Sequence, residues 1–178
     1  MQNILIVIDM QNDFIDGALG SKEAQAIVPY VIDRVKTFDG TVLFTRDTHR
    51  DNYMDTQEGK HLPVPHCVRG SDGWQIQKDL EALRTTEAID KVTFGAASLP
   101  AILSDLDDHD RIASITLLGL DTDICVISNA LLIKAFFPEI PLKVDARGCA
   151  GVTPASHRTA LEAMKACQIE ILNERNRP

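Results

Sequence analysis

Ile4-Leu-Ile-Val-Ile8 is a strand-length run without a polar residue, and Ile115-Thr-Leu-Leu118 nearly repeats it far down the chain. Neither run alternates, so neither can keep one face in water. Such runs fit the centre of a parallel sheet covered by helices on both faces. Between them, Lys22 to Phe38 reads as an amphipathic helix, with Ala26, Ile27, Val31, Ile32 and Val35 at helical spacing. Thr41–Thr45 is the next strand, and Ala88-Ile89 is a short one that leads to Lys91. Further helices are expected over Trp74–Leu83, Leu99–Leu106 and Ile124–Phe137. A last helix is opened by Thr153 as cap and Pro154 at its first position, with Ala160, Leu161, Met164 and Cys167 on one face. Pro141–Asp145 is a strand, and Gln168–Leu172 alternates as a strand near a sheet edge does. Six strands alternating with helices mean an α/β fold with a mainly parallel six-stranded sheet and right-handed crossovers. At 178 residues the chain is expected to be one domain, residues 1–178.

The net charge of −8, from 18 basic and 26 acidic residues, argues against nucleic acid and anionic membrane as partners. No apolar run reaches membrane-spanning length, and the chain enters a strand at once, so no signal peptide is expected. Four cysteines without regular spacing suggest reduced thiols in a cytoplasmic protein. No Gly-rich loop with a helix behind it is present, which speaks against a dinucleotide site.

What stands at the carboxyl ends of the strands decides function in such folds, because ligands bind there. Asp9 ends the first strand; a buried acid there needs a partner or a task, although it can also cap the following turn. Asp47-Thr48-His49 follows the second strand. The polar stretch Arg50–Asp72 behind it carries Glu58, His61 and His66 and reads as a loop. Two or three of these ligands with open positions would suit a catalytic metal, whereas solvated histidines are the plainer alternative. Lys91 ends the short third strand. Behind Ile115–Leu118, Gly119 breaks the run, and Thr122 and Asp123 can start a helix, which puts Cys125 in its first turn. A cysteine there feels the positive end of the helix, and a lysine nearby adds to it. It is therefore expected to be held as thiolate, alone among the four. Otherwise it is a small buried hydrophobe. Cys67, Cys149 and Cys167 are read as packing residues.

Asp9-Met-Gln-Asn-Asp-Phe14, the Asp47-x-His49 pair with Pro65-His-Cys-Val68, Lys91, and Gly119-Leu-Asp-Thr-Asp-Ile-Cys-Val126 occur in that order. Together they resemble the motifs of the isochorismatase-like cysteine hydrolases, a superfamily that includes the nicotinamidases. The resemblance spans nearly the whole chain. It implies a Rossmann-like, doubly wound sheet with helices on both faces and further copies of the chain as partners in a homo-oligomer. Asp9 would be the general base, Lys91 the cation that favours the thiolate, and Cys125 the nucleophile. The backbone N–H groups of Asp121 and Cys125 would hold the oxyanion, beside a cis peptide at Leu120–Asp121. A divalent metal (zinc, iron or manganese) would sit on Asp47, His49 and His66, with Glu58 as a fourth ligand in some relatives and His61 solvated. Phe14, Val64 and Leu120 are the expected substrate contacts.

The expected activity is that of a metal-containing amidase on a small amide, nicotinamide first. Hydrolysis of a carbamoyl or ureido amide on the same triad is the alternative. A non-catalytic member of the fold acting through association is the alternative from another class. Three departures bear on the substrate: an acid at Asp121, Val64 where relatives have tryptophan, and Gly95-Ala96-Ala97 in place of Ser-Ala-Phe.

Overall fold

The structure is a computed structural model that describes residues 1–174; residues 175–178 of the span read as one domain lie outside the described residues. Its centre is a six-stranded sheet in the order β3-β2-β1-β4-β5-β6. The strands are β1 (Gln2–Ile8), β2 (Thr41–Asp47), β3 (Ile89–Lys91), β4 (Ile112–Leu120), β5 (Leu142–Ala150) and β6 (Glu170–Leu172). Every neighbouring pair is parallel. This is the doubly wound Rossmann-like order, and it places the two apolar runs side by side, with Leu5 opposite Thr116 and Ile8 opposite Gly119. Ile4 to Ile8 have no exposed surface at all. Each such side chain contributes about 1.5–3 kcal/mol by leaving water.

The main helices are α1 (Asn12–Ile15), α2 (Lys22–Thr37), α3 (Gln57–His61), α4 (Lys78–Glu81), α5 (Leu99–His109), α6 (Ile127–Phe136) and α7 (Pro154–Ala166). Right-handed crossovers put α2 and α4 on one face and α5, α6 and α7 on the other. The contacts α2–α4, α5–α6 and α6–α7 follow that division. No helix among the described residues is long and apolar enough to cross a membrane.

Several boundaries differ from the sequence reading, each for a local reason. The helix expected over Trp74–Leu83 shrinks to α4. Trp74 lies under the Arg46 guanidinium, 3.6 Å from its ring centre, and donates to Thr48 Oγ1, while the Gln77 side chain caps Asp79 and Leu80. The Arg50–Asp72 stretch contains a 3₁₀ turn, Tyr53–Asp55, and the short α3, which the Thr56 hydroxyl caps at the Gly59 N–H. The helix expected over Ile124–Phe137 is split into a π-helical turn, Thr122–Val126, and α6. Strand β5 runs on to Ala150, with a register shift opposite Leu117–Gly119, and α5 runs on to His109. Strand β6 is shorter than expected because Gln168 takes a left-handed backbone (φ 64°); it pairs only with β5 and is a sheet edge. Thr153 caps α7 as expected, in a reciprocal pair with Ser156.

Candidate active site

The parallel register alone brings the candidate residues to one end of the sheet. Asp47 and Lys91 are the last residues of β2 and β3 and stand directly opposite each other. Asp9 follows β1 with a left-handed backbone (φ 46°). Between β1 and β4 the strand order reverses, so a crevice opens there. A Cβ at Gly119 would collide with the Ile8 carbonyl, so only glycine lets β4 approach β1 this closely at the mouth of the crevice. Beyond it come Leu120, the cis peptide to Asp121, and the π-helical turn that carries Cys125.

Lys91 is the hub. Its buried ammonium donates to Asp47 Oδ1 (3.1 Å), the Thr93 carbonyl (3.1 Å) and Cys125 Sγ (3.4 Å), and lies 2.7 Å from Asp9 Oδ2. A buried cation persists only when paired in this way. Burial lowers its proton affinity, but the charges of Asp9, Cys125 and Asp47 outweigh that and hold the ammonium above its ordinary range. Asp9 Oδ1 accepts from the Thr45 hydroxyl (2.7 Å). Oδ2 faces Lys91 as an ion pair but receives no aligned hydrogen bond from it, which leaves an acceptor open. Burial raises the Asp9 carboxyl, against the pull of Lys91.

The expectation of a resting thiolate is not met. Cys125 is buried, and burial together with the Asp9 carboxylate pushes its thiol well above the usual value, more than Lys91 draws it down. The thiol therefore rests protonated, beside the Lys91 ammonium. Burial also raises Cys67, and pushes Cys149 up to about 12. Alkylation by iodoacetamide near pH 6, mapped by mass spectrometry, should therefore modify the exposed Cys167 first. Cys125 should lag behind it and should react faster in Asp9→Asn, which removes the charge that raises the thiol, whereas Cys167 is unaffected. Rapid labelling of Cys125 that ignores Asp9 would mean a stored thiolate after all.

A second cluster adjoins the first. The ligand-type atoms of Asp47, His49, Glu58 and His66 all lie within 4.8 Å of one another. His49 Nε2 is 2.9 Å from Asp47 Oδ2 and 3.5 Å from Glu58 Oε1; His66 Nε2 is 3.7 Å from both. His66 Nδ1 donates to the Val64 carbonyl (2.8 Å), which leaves Nε2 as an acceptor facing the carboxylates. Buried His49 Nε2 has no hydrogen-bond partner among the described residues. Two imidazole nitrogens that face two carboxylates are a donor set that fits a divalent cation. Burial pushes the Asp47 carboxyl up, but the His49 and His66 rings beside it and the charge of Lys91 hold it far below the usual carboxylate range. His61 is exposed, is bonded among the described residues only to the Gln57 carbonyl, and stands outside the cluster.

Sequence reading missed the residues that hold these groups in place. Gln11 is fully buried; its side chain accepts from the Asp47 N–H (2.7 Å) and donates to the Asp47 carbonyl (2.8 Å), closing a ring on that residue. Asn129, one helical turn after Cys125, donates to the Cys125 and Phe94 carbonyls and accepts from Ala96 N–H. The buried Tyr53 ring stands edge-on to both His49 (4.7 Å) and His66 (5.0 Å). A polar residue inside an apolar helix was the one legible signal, and only Asn129 offered it.

Of the expected substrate contacts, Phe14 packs against His66 with ring centres 5.5 Å apart. Val64 is half-buried, and its carbonyl orients His66. Leu120 has no exposed surface, so its side chain offers no face to a substrate. Ala97 is exposed, and Trp74 is held by Arg46 and Thr48. The Asp121 carboxyl, partly buried, is pushed up to about 7 by burial first and then by the charges of Asp123 and Asp9.

Comparison with known proteins agrees with this layout. A nicotinamidase of Schizosaccharomyces pombe is 24% identical, over 97% of this chain and 93% of its own length. A nicotinamidase/pyrazinamidase of Mycobacterium tuberculosis is 26% identical, over 94% and 97%. The crystal structure of a pyrazinamidase of Pyrococcus horikoshii in complex with zinc superposes with a TM-score of 0.80 at 24% identity, covering 98% of this chain and all of that one, and shows the shared fold. Residues 3–175 match the family model described as Isochorismatase domain, and the chain therefore belongs to the isochorismatase family.

Proposed function

We propose that this chain is a nicotinamidase-like cysteine amidohydrolase that converts a small amide and water into the acid and ammonia through a thioester on Cys125. The observation that carries the reading is the Lys91 ammonium, within 3.4 Å of Cys125 Sγ and 2.7 Å of Asp9. A thiol and a carboxylate with an open acceptor, both in contact with one fixed cation, are the parts that nucleophilic catalysis on a carbonyl needs. The two nicotinamidase relatives support the choice of amide.

Asp9 takes the Cys125 proton as sulfur attacks the carbonyl carbon, and Lys91 offsets the charge that moves onto sulfur. The Asp121 carbonyl occupies the N–H groups of Ile124 and Val126 (3.1 and 3.0 Å). The N–H groups of Asp121 and Cys125 are the proposed donors to the oxyanion. As the C–N bond breaks, Asp9 returns the proton to nitrogen and ammonia leaves. Asp9 then takes a proton from water as that water attacks the thioester; the C–S bond breaks and the thiol is restored. Asp47, His49, His66 and Glu58 would hold a divalent ion, zinc, iron or manganese. Such an ion supplies a Lewis-acid centre that can orient a ring nitrogen and acidify bound water.

Phe14, packed on His66, offers a ring face to a flat substrate, an interaction of about 0.5–1.5 kcal/mol. Val64→Trp is expected to lower KM for nicotinamide several-fold by adding a second aromatic wall. Ammonia release from nicotinamide, pyrazinamide and a ureido amide, compared at equal concentration with metal restored, tests the substrate. Reaction of the ureido compound alone would keep the triad roles and remove the nicotinamidase reading.

A further inference from the structure

Thr122 and Asp123 are residues of the kind that start a helix, yet neither side chain caps the turn that carries Cys125. Both reach outward to the corner between β5 and α7. The Thr122 hydroxyl lies 2.7 Å from His157 Nδ1 on α7, and Asp123 Oδ1 accepts from the Val152 N–H (3.0 Å). Thr122 has no exposed surface, and His157 is its side chain's only hydrogen-bond partner among the described residues. A buried hydroxyl needs such a partner. The corner is shaped for the contact: a Cβ at Gly151 would stand 2.7 Å from Asp123 Oδ1 and 3.0 Å from His157 Cβ, so a glycine there lets α7 start this close to the turn. Burial lowers the His157 imidazole, against the charge of Asp123, so it rests neutral at pH 7 and pairs with the hydroxyl in either sense. Thr122 is also where the turn closes, because its carbonyl accepts from the Ile127 N–H at the first residue of α6. Cys125 sits between those two ends.

We propose that His157 is a positioning residue for the reaction: through the Thr122 hydroxyl it fixes the π-helical turn, so that Cys125 Sγ stands against Lys91 and is aimed at the carbonyl under attack. The catalytic half of this rests on the amidase reading above; the placement of the sulfur does not. A reacting group displaced by about 1 Å can lose about a hundredfold in rate. The brace supplies position and no chemistry, so its loss should lower kcat and spare KM.

His157→Leu removes every hydrogen-bonding atom of the ring, whereas His157→Asn keeps an amide at the position of Nδ1. With metal-loaded protein, kcat for nicotinamide is expected to fall about tenfold in His157→Leu with KM changed less than about twofold, and most of that loss should be recovered in His157→Asn. Thr122→Val should match His157→Leu, and the double variant should be no worse than either, because each removes the same contact. Additive losses, or equal losses in His157→Asn and His157→Leu, overturn the proposal. A second reading needs no turnover. Alkylation of Cys125 by iodoacetamide at pH 8, mapped by mass spectrometry, should quicken several-fold in His157→Leu and return to the parent rate in His157→Asn, while the buried Cys67 stays unreactive. Unchanged labelling of Cys125, or a quickening shared by Cys67, overturns the placement of the sulfur by His157. If the parent protein hydrolyses no small amide but the labelling difference appears, the amidase reading fails and the role of His157 in placing Cys125 stands.

Discussion

Cys125→Ala is expected to abolish ammonia release while the protein stays folded. The sulfur is buried at the base of the crevice, and its loss removes the only atom that can form the thioester, at a small packing cost. Asp9→Asn keeps the shape and the Thr45 hydrogen bond but cannot take the thiol proton. Lys91→Met removes the cation shared by Asp9, Asp47 and Cys125. Each should cost about 10³-fold or more in kcat/KM, and double variants should be little worse than the worse single one, because the three act as a unit. Lys91→Met has a second effect: it leaves two buried carboxylates without their counter-charge, which costs about 3–5 kcal/mol of stability. Thermal unfolding therefore has to accompany the rate measurement, with a clear fall in Tm expected for Lys91→Met and little change for Cys125→Ala.

The second large effect concerns the metal. Protein purified without chelator or nickel resin should contain about one divalent ion per chain by elemental analysis. His49→Ala and His66→Ala should each lose most of it, since each removes an imidazole whose free nitrogen faces the carboxylates. Glu58→Ala should weaken retention less, because Glu58 lies farther from both imidazoles than Asp47 does from His49. His61→Ala should retain the ion, as His61 is exposed and outside the cluster. Chelation should lower Tm and added metal should restore it, because an ion bound only by the folded state adds stability by mass action. Metal loss in His61→Ala, or none in His66→Ala, would contradict this ligand set.

Much of this was legible in the chain because burial on both faces writes itself as unbroken apolar runs. β1 and β4 could be read so, and the parallel register then required Asp47 and Lys91 to meet. What was not legible depends on tertiary partners. Trp74 gives up a helix for the Arg46 guanidinium, and no periodicity reveals that stack. The π-helical turn at Cys125 is apolar like the helix after it, so helical spacing runs through both. Glu58 was marked only through the resemblance, as a fourth ligand in some relatives, and it is α3 that brings it to the histidines. Gln11 looks like any polar residue after a strand, although it closes a ring on Asp47. The thiol was misjudged because the charge of Lys91 is visible in sequence order, whereas the loss of water around Cys125 is not.

The central claim is an acyl group carried on Cys125, and acid-quenched intact-protein mass spectrometry during turnover tests it most directly. The metal-loaded protein, mixed with excess nicotinamide and quenched in the steady state, should show a fraction of chains heavier by one nicotinoyl group. Peptide mapping should place that mass on Cys125, and none should form in Cys125→Ala. Ammonia released at the normal rate with no acyl mass on Cys125, and undiminished in Cys125→Ala, would contradict the account.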